Sequence, residues 1–416
     1  MSFFCADSKD GLSIRANVIW NSVGSIFYLG CNWLLTVLVV TMGTDTVASG
    51  YLAVAMSVGN VLASIVLFRT RPIQVSLNTI EYSNADFFGL RCLTIVGGLI
   101  CCIGYSLFTV STDAMPAVLL YMLFKAVESY IDVIQGVEQR ANRLDLSAYS
   151  QILRGIAIVV SFVIGFVCFG SLELAVAFMV ASSVAVLLLF DKRCVYKLVG
   201  RVKPHFGSRT LRLAKVCFGG FLGSFLITLV VSFVRQIFGL QFGEAELGVY
   251  AAIAAPTVII QALAGFIYAP LYGPLGQCYE AGAFGRMGKF VLLFVFGICA
   301  FVVLMCLLSV FLGEWVIEVV YGAQIAARWG ALIPMFWATG FSAGAAFFLD
   351  LLLIVRSYKG AAISAMASFV VAVIASLCGL LTSDINSISY IICIAFTVQM
   401  GLSIVFYTRS IKRFRR

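Results

Sequence analysis

The stretch DKRCVYKLVGRVKPHFGSRTLR, from Asp191 to Arg212, is the only sizeable polar connection in this chain of 416 residues. Long apolar runs fill the sequence on both sides of it. Its basic and apolar residues are mixed as in amphipathic segments that lie on a membrane surface. The stretch therefore predicts two membrane-embedded halves, residues 1–190 and 213–416, joined by a basic cytoplasmic connection at residues 191–212.

The composition places the chain among polytopic membrane proteins. Hydrophobic residues make up 62% of it and charged residues only 11%, against roughly 25% charged residues in soluble domains. A helix needs about 20 apolar residues to cross a bilayer. We predict an all-α protein of about 12 transmembrane helices in two six-helix lobes, related by a pseudo-two-fold axis along the membrane normal. The predicted spans are 17–41, 47–68, 88–110, 114–136, 147–170, 172–190, 211–235, 247–271, 288–312, 327–355, 360–381 and 386–408.

The distribution of basic residues predicts the orientation. Of the 28 Lys and Arg residues, 25 lie in alternate connections or at the termini, and the intervening connections are mainly acidic. Cytoplasmic loops carry such an excess of basic residues. Both termini are therefore predicted to be cytoplasmic, with Arg91 counted among the cations of the cytoplasmic connections. The net charge of +9 reflects this topology, so no nucleic-acid partner is predicted.

The fourth apolar stretch carries three charges, Lys125, Glu128 and Asp132. At about 100° per residue they share one face of a helix, and ionisable residues inside a membrane usually face a bundle interior or a water-filled cavity. Lys125 is thus a candidate cavity cation, and Glu128 and Asp132 are candidate ion-coupling carboxylates. The alternative is a structural Lys125–Glu128 pair with Asp132 at the water boundary.

Polar stripes at helical spacing mark further candidates. Asn21 lies on such a stripe in the first apolar stretch, Asn60 in the second and Gln261 in the eighth, which three prolines interrupt. Arg235 continues a stripe in the seventh stretch. These stripes either line a cavity or form helix-packing seams, and Arg235 can also reach water by snorkelling.

The sequence offers little support for catalysis. Its 13 cysteines are scattered without a CxxC pair, which is not a metal-binding pattern. GAFGRMGKF, from Gly282 to Phe290, lacks the spacing and the Ser or Thr of a phosphate-binding loop. Short outer loops argue against a membrane glycosyltransferase or polymerase, which remains a less favoured alternative. We therefore expect no enzyme activity and no cofactor.

Four local stretches carry a resemblance to a known family. The stretches are RANVIWNSVGS from Arg15, GYLAVAMSVGN from Gly50, FRTRPIQVS from Phe68 and YSQILRG from Tyr149. With the two-half organisation, they resemble the polysaccharide-biosynthesis flippases of the multidrug/oligosaccharidyl-lipid/polysaccharide exporter superfamily, in the branch that carries O-antigen or capsule repeat units.

The resemblance implies gradient-driven, alternating-access movement of undecaprenyl-diphosphate-linked oligosaccharide from the inner to the outer leaflet. It also implies a bacterial or archaeal cytoplasmic (inner) membrane, a role in capsule or lipopolysaccharide assembly, and partners that include membrane lipids, a polysaccharide polymerase and a proton or sodium ion. The substrate-binding candidates that it implies are Arg15, Arg69, Arg71, Lys125, Arg154 and Arg235, beside the polar Asn21, Asn60 and Gln261.

A rival interpretation is a cation-coupled multidrug antiporter of the same superfamily. Such a protein needs an acidic, aromatic cavity for cationic drugs. The deepest charges of this sequence include Lys125, so the sequence favours an anionic substrate.

Overall fold

A computed structural model describes residues 11–42, 46–76 and 82–414, and this part of the chain contains helices and no β-strand. The helices are α1 (Ile14–Met42), α2 (Thr46–Leu67), α3 (Thr70–Ser76), α4 (Asn84–Thr109), α5 (Met115–Arg140), α6 (Leu144–Phe169), α7 (Leu172–Val186), α8 (Lys192–Val199), α9 (Ser208–Phe242), α10 (Glu244–Ala254), α11 (Val258–Tyr268), α12 (Tyr272–Glu280), α13 (Phe284–Tyr321), α14 (Ala323–Ala326), α15 (Leu332–Ile354), α16 (Tyr358–Leu377) and α17 (Asn386–Phe414).

Eleven helical segments of the described residues are long and apolar enough to cross a membrane. α5 is absent from this set because its middle carries Lys125, Glu128 and Asp132, although its 26 residues span about 39 Å at 1.5 Å per residue. The prediction of an all-α polytopic membrane protein with about 12 spans is thus confirmed. The orientation of the termini stays a prediction.

The eighth predicted span is longer and more broken than the sequence indicated. α10, α11 and α12 follow one another through 3₁₀ turns at Ala255–Thr257 and Ala269–Leu271. Pro256 and Pro270 lie in these turns, because proline removes a helical hydrogen bond and clashes with the preceding turn. Pro274 does not interrupt the helix as expected, since it lies in the first turn of α12, where proline is tolerated.

The chain divides into two compact units, one ending at Phe218 and the other beginning at Gly219. The basic connection contains α8 and a coil that leads into α9. α8 is amphipathic, since Cys194 and Val195 are buried and its three basic residues are exposed. In the first unit α1 packs along α6 and α2 along α5.

Gly24 permits the close approach of α1 to α6. A Cβ at this position would lie 2.6 Å from the Cα of Ala148, and backbone atoms of a packed helix have little freedom to move. On the same face, the Ser25 hydroxyl donates to Gln151 at 3.2 Å. Part of the polar stripe of α1 is therefore a packing seam.

In the second unit α15 is the central helix. It packs against α11, α13 and α17, and the rings of Phe294 and Phe347 stack at 4.0 Å between α13 and α15. Just outside the two helical segments that are apolar enough to cross a membrane here, Val258–Glu280 and Trp329–Ile354, Arg328 donates hydrogen bonds to the carboxylate of Glu246. These hydrogen bonds hold the pKa of Glu246 below its usual range.

Candidate functional site

Three helices of the first unit meet at Glu128. Lys125, one turn earlier on α5, donates to its carboxylate at 2.7 Å, and the hydroxyl of Tyr28 on α1 donates to it as well. Arg154 on α6 lies 3.8 Å from the same carboxylate, with its guanidinium 4.6 Å from the centre of the Tyr28 ring. We refer to Tyr28, Lys125, Glu128 and Arg154 as the Glu128 cluster.

The Glu128 cluster is largely buried but keeps some exposure to solvent. The side chains of Lys125 and Glu128 are each 16% exposed, and that of Arg154 is 5% exposed. One carboxylate meets two cations, so the cluster carries a formal charge of about +1. Such a group is suited to the interior of a bundle, because buried charges need partners.

A second group surrounds Asp132, which lies about one turn of α5 beyond Glu128 and closer to the end of that helix. Arg91 on α4 contacts its carboxylate at 2.8 Å and Arg71 on α3 at 3.4 Å. Arg71 also donates to Gln135 at 3.1 Å and to Gln139 at 3.0 Å. We refer to these five residues as the Asp132 cluster, and it too contains two cations and one carboxylate.

The structure corrects the interpretation of Arg91 as a cation of a connecting loop. Its side chain is 0% exposed, and it donates to the Val66 carbonyl and the Thr70 hydroxyl at 2.5 Å each. An arginine that is fully buried needs such partners for its donors. Arg91 therefore fixes the broken end of α2 and the start of α3 against α5.

The Asp132 cluster holds more donors than acceptors. Arg71 Nη2, Arg91 Nε and Gln135 Nε2 are buried and have no hydrogen-bond partner. Since guanidinium groups offer five donors and accept none, the cluster could satisfy further acceptor oxygens, as phosphate or carboxylate groups provide.

The remaining candidates of the first unit lie at varied positions. Asn21 is buried on α1, Asn60 is exposed on α2 and Arg15 is exposed at the start of α1. Arg69 is half-buried at the break between α2 and α3, with a φ of 49°. Among the candidates, the structure thus gathers only Arg71, Lys125, Glu128, Asp132 and Arg154 into the two clusters.

Two candidates belong to the second unit. Arg235 on α9 is half-buried, and its guanidinium lies 5.2 Å from the centre of the Tyr250 ring. Gln261 on α11 is exposed. Their role in substrate binding stays a prediction.

Sequence reasoning missed Tyr28 and Arg91. Tyr28 had a signal, because it occupies the next position at helical spacing after Asn21 and Ser25, yet an aromatic residue does not stand out in an apolar helix. Arg91 also had a signal, because it lies inside the predicted span 88–110. Near the start of a span, however, an arginine is also typical of the adjoining cytoplasmic connection.

No protein-family profile and no curated protein matches this chain. Solved structures do match. The Vibrio cholerae MATE transporter VcmN in its bent form has a TM-score of 0.76 at 9% identity, with 97% of each chain covered. A transporter of the MOP superfamily from Pyrococcus furiosus has a TM-score of 0.71 at 12% identity, covering 97% of this chain and 96% of that one.

A third match is a multidrug resistance MATE family transporter of the MOP superfamily in an outward-facing conformation. Its TM-score is 0.70 at 14% identity, and the match covers 97% of this chain and 96% of that one. At these identities the shared feature is the fold. MOP is the superfamily that the sequence resemblance indicated, and the chain has the two-lobe transporter fold of its MATE members.

Proposed function

We propose that this chain is a membrane transporter that exports an amphipathic organic molecule by alternating access, driven by an ion gradient or the membrane potential. The observation that carries the proposal is the match of the whole fold, over 97% of the chain, to transporters described in outward-facing and bent forms. A fold that adopts several conformations is suited to alternating access.

The first candidate activity is cation-coupled multidrug antiport. Matching structures belong to multidrug resistance and other MATE transporters, so the comparisons support this activity better than any other. The Glu128 cluster adds a carboxylate beside the ring of Tyr28, and Lys125 lies 5.4 Å from the Tyr121 ring. Carboxylate and aromatic groups together can hold an organic cation, and at this cluster such a cargo would take the place of Lys125 or Arg154 beside Glu128.

The second candidate is the flippase activity for lipid-linked oligosaccharide. One specific observation favours it: each cluster holds two cations for one carboxylate, and the Asp132 cluster has unpartnered buried donors. A diphosphate crosses hydrocarbon only where cations replace its hydration. The Pyrococcus furiosus transporter is described as having a binding pocket of reversed polarity and a different function, which supports varied cargo charge on this fold.

The second candidate includes the finer expectations from sequence. These are an undecaprenyl-diphosphate carrier, an inner membrane of a bacterium or archaeon, and a polysaccharide polymerase as partner. Both candidate activities include substrate-binding roles for Arg71, Lys125 and Arg154. Each of these residues lies beside the carboxylate of Glu128 or Asp132.

Transport in proteoliposomes tests the proposal and separates the candidates. The purified chain is reconstituted, a proton, sodium or potassium-diffusion gradient is imposed, and movement of two probes is followed: a fluorescent organic cation and a labelled polyprenyl-diphosphate oligosaccharide. Gradient-dependent movement of the cation supports antiport, and leaflet exchange of the oligosaccharide supports flipping. Movement of neither probe above protein-free vesicles, under any gradient, contradicts the proposal.

A further inference from the structure

The connection that leads from α7 into α9 carries an exposed charge of one sign. Residues 192–215 contain eight Lys and Arg residues and no Asp or Glu, and all eight basic residues are exposed. Asp191, which precedes them, is 0% exposed. Clusters of about four to eight basic residues beside a membrane-spanning helix attract anionic lipid headgroups.

This charge lies at the membrane boundary. The apolar segments Leu172–Val199 and Ser208–Phe242 are 28 and 35 residues long, whereas about 20 residues are enough to cross the hydrocarbon core. The basic residues lie at the end of the first segment, at the start of the second and in the coil between them. They are therefore at the level of the lipid headgroups.

Exposed apolar side chains accompany the basic residues. Tyr196, Phe206 and Leu211 are each 61% exposed, and Val199 is 43% exposed. Exposed apolar side chains among Lys and Arg are typical of segments that insert into the boundary between headgroups and acyl chains. A phospholipid would thus meet cations for its phosphate and apolar side chains for its acyl chains in the same segment.

The coil between α8 and α9 is fixed against α4. The His205 amide donates to the Ala85 carbonyl at 3.0 Å, and the imidazole Nδ1 lies 2.9 Å from the Asp86 carboxylate. Thr210 donates to the His205 carbonyl at 2.6 Å, and a Cβ at Gly89 would overlap that carbonyl oxygen. A connection that only sets the membrane topology needs basic residues but no fixed backbone, so these contacts indicate a further role.

We propose that residues 192–215 form a binding surface for anionic phospholipid, with the phosphate at the basic side chains and the acyl chains beside Phe206 and Leu211. The contacts of His205 hold the coil in place before a lipid binds, and a preorganised site loses less conformational entropy on binding. The uniform positive charge selects an anionic headgroup over a zwitterionic one. This surface is independent of any transported cargo, so it goes beyond the proposed transport function.

Native mass spectrometry of the full chain in a mild detergent measures this binding. The protein is titrated separately with dioleoyl phosphatidylglycerol and dioleoyl phosphatidylcholine, which share their acyl chains, and the affinity for the first bound lipid is determined. One triple variant replaces basic residues that flank His205: Arg201→Gln, Lys203→Gln and Arg209→Gln. The matched control removes three exposed cations near the end of α17: Arg409→Gln, Lys412→Gln and Arg413→Gln.

A second pair of variants tests the fixed coil without a change of charge. Gly89→Ala displaces the His205 carbonyl, whereas a Cβ at Gly97, on the same helix α4, has no atom within 4 Å. Gly97→Ala is therefore the control. If Gly89→Ala fails to fold, His205→Ala takes its place, because it removes the contact with Asp86.

We expect the wild type to bind phosphatidylglycerol about tenfold or more tightly than phosphatidylcholine. The triple variant at the connection should lose most of this preference, and the α17 variant should keep it. Gly89→Ala should bind phosphatidylglycerol about threefold or more weakly, and Gly97→Ala should match the wild type.

Three results overturn the proposal: a wild type without preference for phosphatidylglycerol, equal losses in the two triple variants, or a phosphatidylglycerol affinity of Gly89→Ala or its substitute equal to that of the wild type. Because no transport is measured, each of these results leaves the proposed transport function unaffected. Conversely, a protein that moves neither transport probe but shows the expected lipid binding refutes the proposed function alone.

Discussion

Replacement of Arg91 is the sharpest test of how the first unit is held together. The guanidinium is fully buried, and it contacts Asp132 at 2.8 Å, the Thr70 hydroxyl at 2.5 Å and the Val66 carbonyl at 2.5 Å. Removal of one partner of a buried ion pair costs about 3–5 kcal/mol. Asp132 is 20% exposed and keeps Arg71, so we expect Arg91→Met to lose about 3 kcal/mol, at the lower end of that range.

The double variant separates the ion pair from general disruption of packing. In Arg91→Met with Asp132→Asn no unpaired carboxylate remains, and replacing both partners of a buried pair is often nearly neutral. We expect the double variant to lose only about 1 kcal/mol relative to wild type, which is about 2 kcal/mol less than the loss for Arg91→Met alone.

The assay is unfolding of the purified chain in mixed micelles, with sodium dodecyl sulfate as denaturant and helix content as the signal. All variants are measured in one lipid and detergent mixture, so that only the side chains differ. A single variant that unfolds at the wild-type denaturant fraction, or a double variant less stable than Arg91→Met, would refute the account of Arg91 as the buried partner of Asp132.

Three further predictions follow from single contacts. Gly24→Ala should separate α1 from α6 and lower the unfolding midpoint. Gly30→Ala is the control, since no atom lies within 4 Å of its new Cβ, and it should leave the midpoint unchanged or raise it. Equal midpoints for the two variants would contradict the close packing of α1 on α6 at Gly24. Tyr28→Phe removes the hydroxyl donor of Glu128 and should destabilise the fold by about 1–3 kcal/mol, measured in the same titration; no loss would mean that the donor is dispensable. Arg328→Gln removes an ion pair that lowers the pKa of its glutamate partner. The contribution of the pair is fully present above the unfolded-state pKa of Glu, about 4.3, and is lost as the pH falls through the lower pKa of Glu246 in the folded protein. The thermal midpoint of the wild type should therefore fall more on acidification than that of the variant, which should have a flatter pH profile.

The architecture was predictable because the bilayer imposes strong constraints. Apolar runs of about 20 residues and the alternation of basic connections predict helix number and approximate positions directly. The breaks at Pro256 and Pro270 follow from the missing amide hydrogen and the fixed φ of proline. Pro274 failed as a signal, since its effect depends on where the preceding turn ends, and the sequence does not show that position.

The candidate site was predictable only where a charge stands in an apolar run. Lys125, Glu128 and Asp132 were found in this way, but helical spacing alone could not divide them between two clusters. That division depends on Arg91 of α4, which contacts Asp132, and on Arg154 of α6, which lies beside Glu128. These contacts join different helices, and the sequence does not show which helices are neighbours.

We expect the Glu128 cluster to take part in gradient-driven transport. The most direct test compares wild type, Lys125→Ala and the exposed-pair control Arg328→Gln in proteoliposomes, with initial rates measured for whichever probe the wild type moves, with and without an imposed gradient. We predict that the control keeps the wild-type rate and gradient dependence, while Lys125→Ala, reconstituted in the folded state, loses most of the gradient-driven rate. Equal gradient-driven rates for all three proteins would contradict the claim and leave Lys125 and Glu128 as a structural pair.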